Sequence, residues 1–168
     1  MKQAKIDLLV LEAQEGKKRA LALLYGHFVT PMRRFALMRV KDIMVAEDLV
    51  QNVWLKVARR IQRLENVSLF RSWLYRALRW EITDYMRANS KWQQDDSAQD
   101  ELAETPDMVN LLALAPMIAS LPEDEKDVVE LFYLNDLSLL EVALVLEVPE
   151  GTVKSRLHRA RTKLRKLD

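Results

Sequence analysis

Residues 151–168 carry seven basic side chains and one acid, and the arrangement is regular. Val153, Leu157, Ala160, Leu164 and Leu167 recur at spacings of 4, 3, 4 and 3, which places them on one face of a helix. Lys154, Ser155, Arg156, His158, Arg159, Arg161, Thr162, Lys163, Arg165 and Lys166 occupy the other sides. An ordinary solvated helix face mixes charge signs, and this one does not. A helix so patterned can lie in a major groove, its N-terminal residues near base edges and its flanking cations at phosphates. The element before it strengthens that expectation. Ser138-Leu139-Leu140-Glu141 fits a capping box that opens a helix over 138–146. A break of about four residues then leads into the final helix, giving a helix-turn-helix.

A second set of residues combines arginine with indole. Residues 70–92 hold 6 of the 12 aromatics and five basic residues. On one helix, Arg76, Arg79, Trp80, Thr83 and Arg87 fall in one arc, with Leu74, Leu78, Ile82 and Tyr85 opposite. A basic surface with an aromatic platform is how proteins hold unstacked single-stranded bases. Trp73 reads instead as a packing residue.

A third set lies in 45–61. Val50, Val53, Trp54, Val57 and Ile61 form the apolar stripe, while Glu47, Asp48, Gln51 and Asn52 lie largely elsewhere with Leu55 near them. An exposed leucine beside amides and acids is the composition of a protein-docking patch.

Charge supports two separate binding surfaces. Residues 1–90 hold 17 basic and 9 acidic side chains, 91–150 hold 2 and 15, and 151–168 hold 7 and 1, so the net charge of +1 conceals basic, acidic and basic blocks. The absence of cysteine removes thiolate zinc sites, iron–sulfur clusters, disulfides and cysteine nucleophiles. The two histidines, His27 and His158, are far apart, and no glycine-rich phosphate loop or nucleophile–base pair stands out, so neither a cofactor, a metal nor catalysis is expected. No long apolar run opens the chain as a signal peptide would, and nothing approaches the roughly 18 apolar residues of a membrane span. The expectation is a soluble, cytoplasmic protein.

The elements that must position these groups are helices. Three glycines and the lack of strand-like alternation argue against an all-β fold. Helices are expected over 4–24 (one or two, with Gly16 and Gly26 as interruptions), 28–40, 45–63, 70–88, 107–119, 121–133, 138–146 and 151–167. The polar, acidic stretch 90–106 reads as a linker. The fold class is therefore all-α, two small helical domains at 1–89 and 107–168 joined by an acidic linker at 90–106, the second containing the helix-turn-helix.

Three segments together resemble a known family. They are Ala46-Glu47-Asp48-Leu49-Val50-Gln51-Asn52-Val53-Trp54-Leu55-Lys56-Val57; Phe70-Arg71-Ser72-Trp73-Leu74-Tyr75-Arg76, ending in Asp84-Tyr85-Met86-Arg87; and Gly151-Thr152-Val153-Lys154-Ser155-Arg156-Leu157-His158-Arg159-Ala160-Arg161. In this order, the chain resembles a bacterial RNA polymerase sigma factor of the extracytoplasmic-function type over about residues 20–88 and 115–167. The resemblance implies a first domain that docks on core RNA polymerase and captures the melted minus-ten promoter element. The second domain would read the minus-thirty-five duplex. By matching motif, Asp48, Gln51 and Asn52 would face polymerase, and Arg76, Arg79, Trp80 and Arg87 would lie near single-stranded DNA. Lys154, Ser155, His158 and Arg159 would stand at or near base edges, with Arg156 and Arg161 at phosphates. Members of this family are often held inactive by an anti-sigma factor, which no residue here identifies. Three positions depart from the family pattern: Trp80 stands where asparagine is frequent, Asn52 replaces a common acid, and Glu147 takes a turn position that is often glycine. The alternative reading is a helix-turn-helix regulator that acts without polymerase; the docking patch and the basic aromatic helix would then have no evident role.

Overall fold

The computed structural model describes residues 1–90 and 114–167. The chain forms two compact units, Met1–Asp100 and Glu101–Asp168. The described residues are helices and turns, with no strand among them. The expected linker beyond Ser90, and the first part of the helix expected over 107–119, lie outside the described residues; 114–119 are helical.

The first unit contains α1 (Gln3–Gln14), α2 (Lys18–Val40), α3 (Ile43–Arg60) and α4 (Phe70–Asn89). Gly16 separates α1 from α2 at φ 87°, a left-handed conformation that glycine adopts without a Cβ penalty. Gly26 does not interrupt anything. The two helices expected on either side of it are one helix of 23 residues, which also contains Pro31. A proline removes one helical hydrogen bond and costs several kcal/mol in isolation, on the order of 3. Continuous burial on both sides of it offsets that cost: Leu24, Phe28, Val29, Met32, Phe35 and Ala36 all face the core. Asp42 caps α3 by accepting from the Met44 and Val45 amides at 2.9 and 3.2 Å. A 3-10 turn at Ile61–Arg63 ends α3 sooner than the expected residue 63.

The core of this unit joins α2, α3 and α4. Leu24, Met32, Val53, Phe70, Leu74 and Leu78 are completely buried. Edge-to-face ring pairs link the helices, Phe28 with Phe70 at 5.8 Å and Phe35 with Tyr75 at 5.9 Å. At the end of α1, Gln14 Nε2 donates to the carbonyls of Ile61 and Leu64, both at 2.8 Å, and ties the first helix to the turn after α3.

The second unit contains α5 (Glu123–Val129), α6 (Leu139–Leu146) and α7 (Glu150–Arg165). Pro122 occupies the cap position of α5, followed by Glu123, Asp124 and Glu125 in the first turn, where acids favour the positive end of the helix dipole. The helix then widens into a π turn, Glu130–Leu134, closed by the Asn135 amide on the Glu130 carbonyl at 3.1 Å. The capping box of α6 is formed: the Ser138 amide donates to Glu141 at 2.7 Å, and the Glu141 amide donates to the Ser138 hydroxyl at 3.2 Å. Val128, Leu131, Leu137, Val142, Val145, Val153, Leu157 and Ala160 make the core. Leu164 is half-buried and Leu167 is exposed, the latter beyond the end of α7 at Arg165. The expected apolar stripe is therefore shorter than its sequence pattern.

Glu147 closes α6 at φ 57°, in the left-handed region, and its amide bonds the Ala143 carbonyl. A side chain with a Cβ is strained there, and glycine is not. Replacing Glu147 with glycine is expected to stabilise the second unit by about 1 kcal/mol. Urea unfolding followed by circular dichroism measures this, and a loss of stability would contradict the strain.

Candidate nucleic-acid interface

Helix α7 is held by Val153, Leu157 and Ala160, which face α5 and α6. That anchoring turns the remaining sides outward. Lys154, Ser155, His158, Arg159 and Arg161 are exposed, and Arg156 is half-buried. The minus-thirty-five set expected from the sequence thus shares one helix, but its members are not equivalent. Lys154 and His158 have no side-chain partner among the described residues. Ser155 bonds its own helix, donating to the Thr152 carbonyl at 3.1 Å. Arg161 donates to the Tyr133 hydroxyl and lies over that ring at 5.6 Å from its centroid. Arg156 and Arg159 face acids of α5: Asp124 lies 3.5 Å from Arg156 and 3.7 Å from Arg159, and Glu125 lies 3.4 Å from Arg159. Lys163 holds both Glu125 oxygens at 2.8 and 2.9 Å.

These acids and Tyr133 are what sequence reasoning missed. Asp124 and Glu125 also suit the dipole of their own helix, which is the only role their local sequence suggests. The signal that could have found them is the pairing of a triple-acid turn with an all-cationic helix in one small domain.

On α4 the faces separate as expected. Leu74, Leu78 and Ile82 are buried, and Arg76, Trp80 and Arg87 are exposed, with Arg79 half-buried beside them. Trp80 is 61% exposed, so most of its indole faces solvent among the arginines. Tyr85 is half-buried rather than fully in the core, because α4 runs beyond the packed part of the unit. Trp73 is half-buried and packs near Phe70 at 6.1 Å. Lys56 on α3 pairs with Glu81 on α4 and braces the two helices.

On α3, Ala46, Leu49, Val50, Val53, Trp54 and Val57 face inward. Asp48, Gln51 and Asn52 are exposed, and Leu55 is 58% exposed among them. Met44 extends the same outer face by one turn. The patch therefore has two apolar side chains framing three polar ones.

Among the described residues, no group of three or more histidine, cysteine, aspartate or glutamate side chains is placed to hold a metal ion. Burial, with smaller repulsion from the amino terminus, Arg71 and Lys5, holds His27 below the ordinary histidine range. Among the described residues, no helix is long and apolar enough to cross a membrane.

The second unit thus carries a helix-turn-helix with a cationic outer helix, and the first unit exposes an arginine-flanked indole. Residues 24–91 match the family model for sigma-70 region 2, and residues 111–164 match the model for sigma-70 region 4. The chain is 32% identical over 151 residues to the extracytoplasmic-function (ECF) sigma factor SigL of Mycobacterium tuberculosis, covering 84% of this chain and 85% of that protein. It is 29% identical over 170 residues to the ECF sigma-E factor of Haemophilus influenzae, covering 91% and 89%. Among solved structures, it resembles the sigma factor RpoE of Bartonella quintana in complex with the anti-sigma factor NepR, with a TM-score of 0.65, 26% identity, and 86% and 95% of the two chains covered. It shares its fold with CnrH, solved with the cytosolic domain of CnrY, at a TM-score of 0.75 and 21% identity over 97% and 96%. The chain belongs to the ECF sigma factors of bacterial RNA polymerase. It directs promoter-specific transcription initiation; the regulator that works without polymerase is not favoured. Sigma factors are, in general, initiation factors without enzymatic activity.

Lys163 satisfies a carboxylate that is 4% exposed while remaining half-exposed itself. Lys163→Ala is expected to cost the second unit about 1 kcal/mol, since Arg159 still reaches Glu125. Thermal unfolding would show this as a lower midpoint than for Lys166→Ala, whose residue caps the exposed end of α7.

Proposed function

We propose that this factor grips one promoter at two places and holds polymerase with a third surface, catalysing nothing itself. The face separation on α7 carries this reading: apolar residues inward, Lys154, Ser155, His158 and Arg159 outward, with Arg156 and Arg161 along the flanks. In it, α7 enters the major groove of the minus-thirty-five duplex. Lys154, Ser155, His158 and Arg159 meet base edges, and Arg156 and Arg161 meet phosphates. One good bidentate contact discriminates by about 1–3 kcal/mol.

Arg76, Arg79, Trp80 and Arg87 hold the melted minus-ten strand. Stacking a base on an aromatic ring is worth about 1–3 kcal/mol, and opening one base-pair step costs about 1.4 kcal/mol on average. A few trapped bases thus offset local melting without fuel. Asp48, Gln51 and Asn52, framed by Met44 and Leu55, form the docking patch for core RNA polymerase. Residues 1–89 and 107–168 are the two functional domains, joined through 90–106. The factor works in the cytoplasm, where polymerase and chromosome meet. An anti-sigma factor is its expected regulator; the likeness to RpoE, solved with NepR, supports that partner.

Trp80→Ala is expected to weaken open-complex formation more than duplex binding. Permanganate footprinting of the holoenzyme reads the melted strand, and an unchanged footprint would remove Trp80 from that role. Lys154→Ala, which disturbs no internal pair, is expected to lower transcription that depends on the upstream element roughly tenfold while leaving polymerase association intact. Asp48→Lys combined with Leu55→Asp is expected to abolish co-elution with core polymerase; undiminished co-elution would place the docking surface elsewhere.

A further inference from the structure

The acidic first turn of α5 lies against the outer surface of α7. Asp124 reaches Arg156 and Arg159, and Glu125 reaches Arg159 and Lys163. Three cations of the helix thus already hold carboxylates in the protein without DNA. A carboxylate offers a guanidinium much the same paired oxygens as a phosphate does. The two acids differ in depth. The Glu125 side chain is 4% exposed, whereas that of Asp124 is 45% exposed. Solvent and salt screen the Asp124 pairs more than those of Glu125, whose carboxylate is buried while Arg159 and Lys163 stay half-exposed.

We propose that Asp124 is a specificity-determining residue, an internal phosphate surrogate that occupies Arg156 and Arg159 until a duplex displaces it. Glu125 is the positioning residue that keeps Arg159 and Lys163 in place during the exchange. The inference rests on the reading of α7 as the duplex-binding helix. When α7 meets DNA, a phosphate oxygen takes over the Arg156 guanidinium from Asp124, Arg159 turns to a base edge, and the released carboxylate recaptures a solution cation. Every duplex must break these pairs, so binding to arbitrary DNA is weakened. A promoter that also bonds Lys154, Ser155 and His158 recovers the loss, and a random sequence does not. The recaptured cation also reduces the net ion release that drives binding.

The test uses the full chain and a labelled pool of random-sequence duplexes, titrated at several salt concentrations by fluorescence anisotropy. Asp124→Asn is expected to bind the pool roughly threefold to tenfold more tightly at low salt. Its plot of log affinity against log salt is expected to steepen by about one. Glu123→Gln is the control. It removes the same charge from the same turn, but Glu123 is 82% exposed and pairs with Lys126 at 3.8 Å rather than with α7. Asp124→Ser serves if the asparagine variant fails to fold, with the same shift expected. Unchanged affinity and slope in the Asp124 variants, while the parent binds duplex, would overturn this proposal alone. So would equal shifts from Glu123→Gln, which would reduce the effect to net charge. Failure of the parent and all variants to bind duplex would overturn the reading of α7 itself, and this inference with it.

Discussion

Everything in the second unit follows from the problem of docking a highly cationic helix on a small core. Along α7, Arg156, Arg159 and Lys163 stand three and four residues apart on one side, so their charges repel one another. Val153, Leu157 and Ala160 supply the apolar contact, a modest area for a 16-residue helix. The acids of α5 relieve the repulsion from outside the helix, and their position requires α5 to lie across α7. The helix-turn-helix is therefore fixed both by burial and by charge. Lys154 and His158 on the exposed side of α7 remain uncommitted and point to solvent.

The first unit solves a different problem. The residues proposed to bind are spread over α3 and α4, so both helices must be held in register while their outer faces stay bare. The aromatic cluster of Phe28, Trp54 and Phe70 joins α2, α3 and α4 with rigid side chains that have few rotamers to lose. The Lys56–Glu81 pair adds a brace at the surface. The result places an exposed mixed polar and apolar patch and an arginine–indole surface on two helices of one core.

Much of this was legible in the chain itself. The apolar stripes of α3, α4 and α7 were visible as periodicity, and Ser138 and Glu141 announced their reciprocal cap by type and spacing. Glu147 stood where a left-handed residue was needed, and its backbone is left-handed. Local rules succeeded in each case because the contacts span four residues or fewer. They failed where distant packing decides. Gly26 reads locally as an interruption of the helix, but α2 is sheathed by α1, α3 and α4 and continues through it. The Glu125 pairs join residues 34 and 38 positions apart, and nothing local marks them. The π turn at Glu130–Leu134 likewise carries no sequence signature beyond the Asn135-Asp136 break.

The Gln14 tether has a bearing on how the chain is born. Its two carbonyl partners lie 47 and 50 positions downstream, so α1 leaves the ribosome well before its anchor exists. At about 5–20 residues per second, that interval is roughly 3–10 s. During it, the apolar side of α1 can rest only on α2, with Ile6, Leu9 and Val10 awaiting complete cover. The earliest helix to be synthesised is consequently secured only after Leu64 and the turn at Val67–Leu69 have emerged.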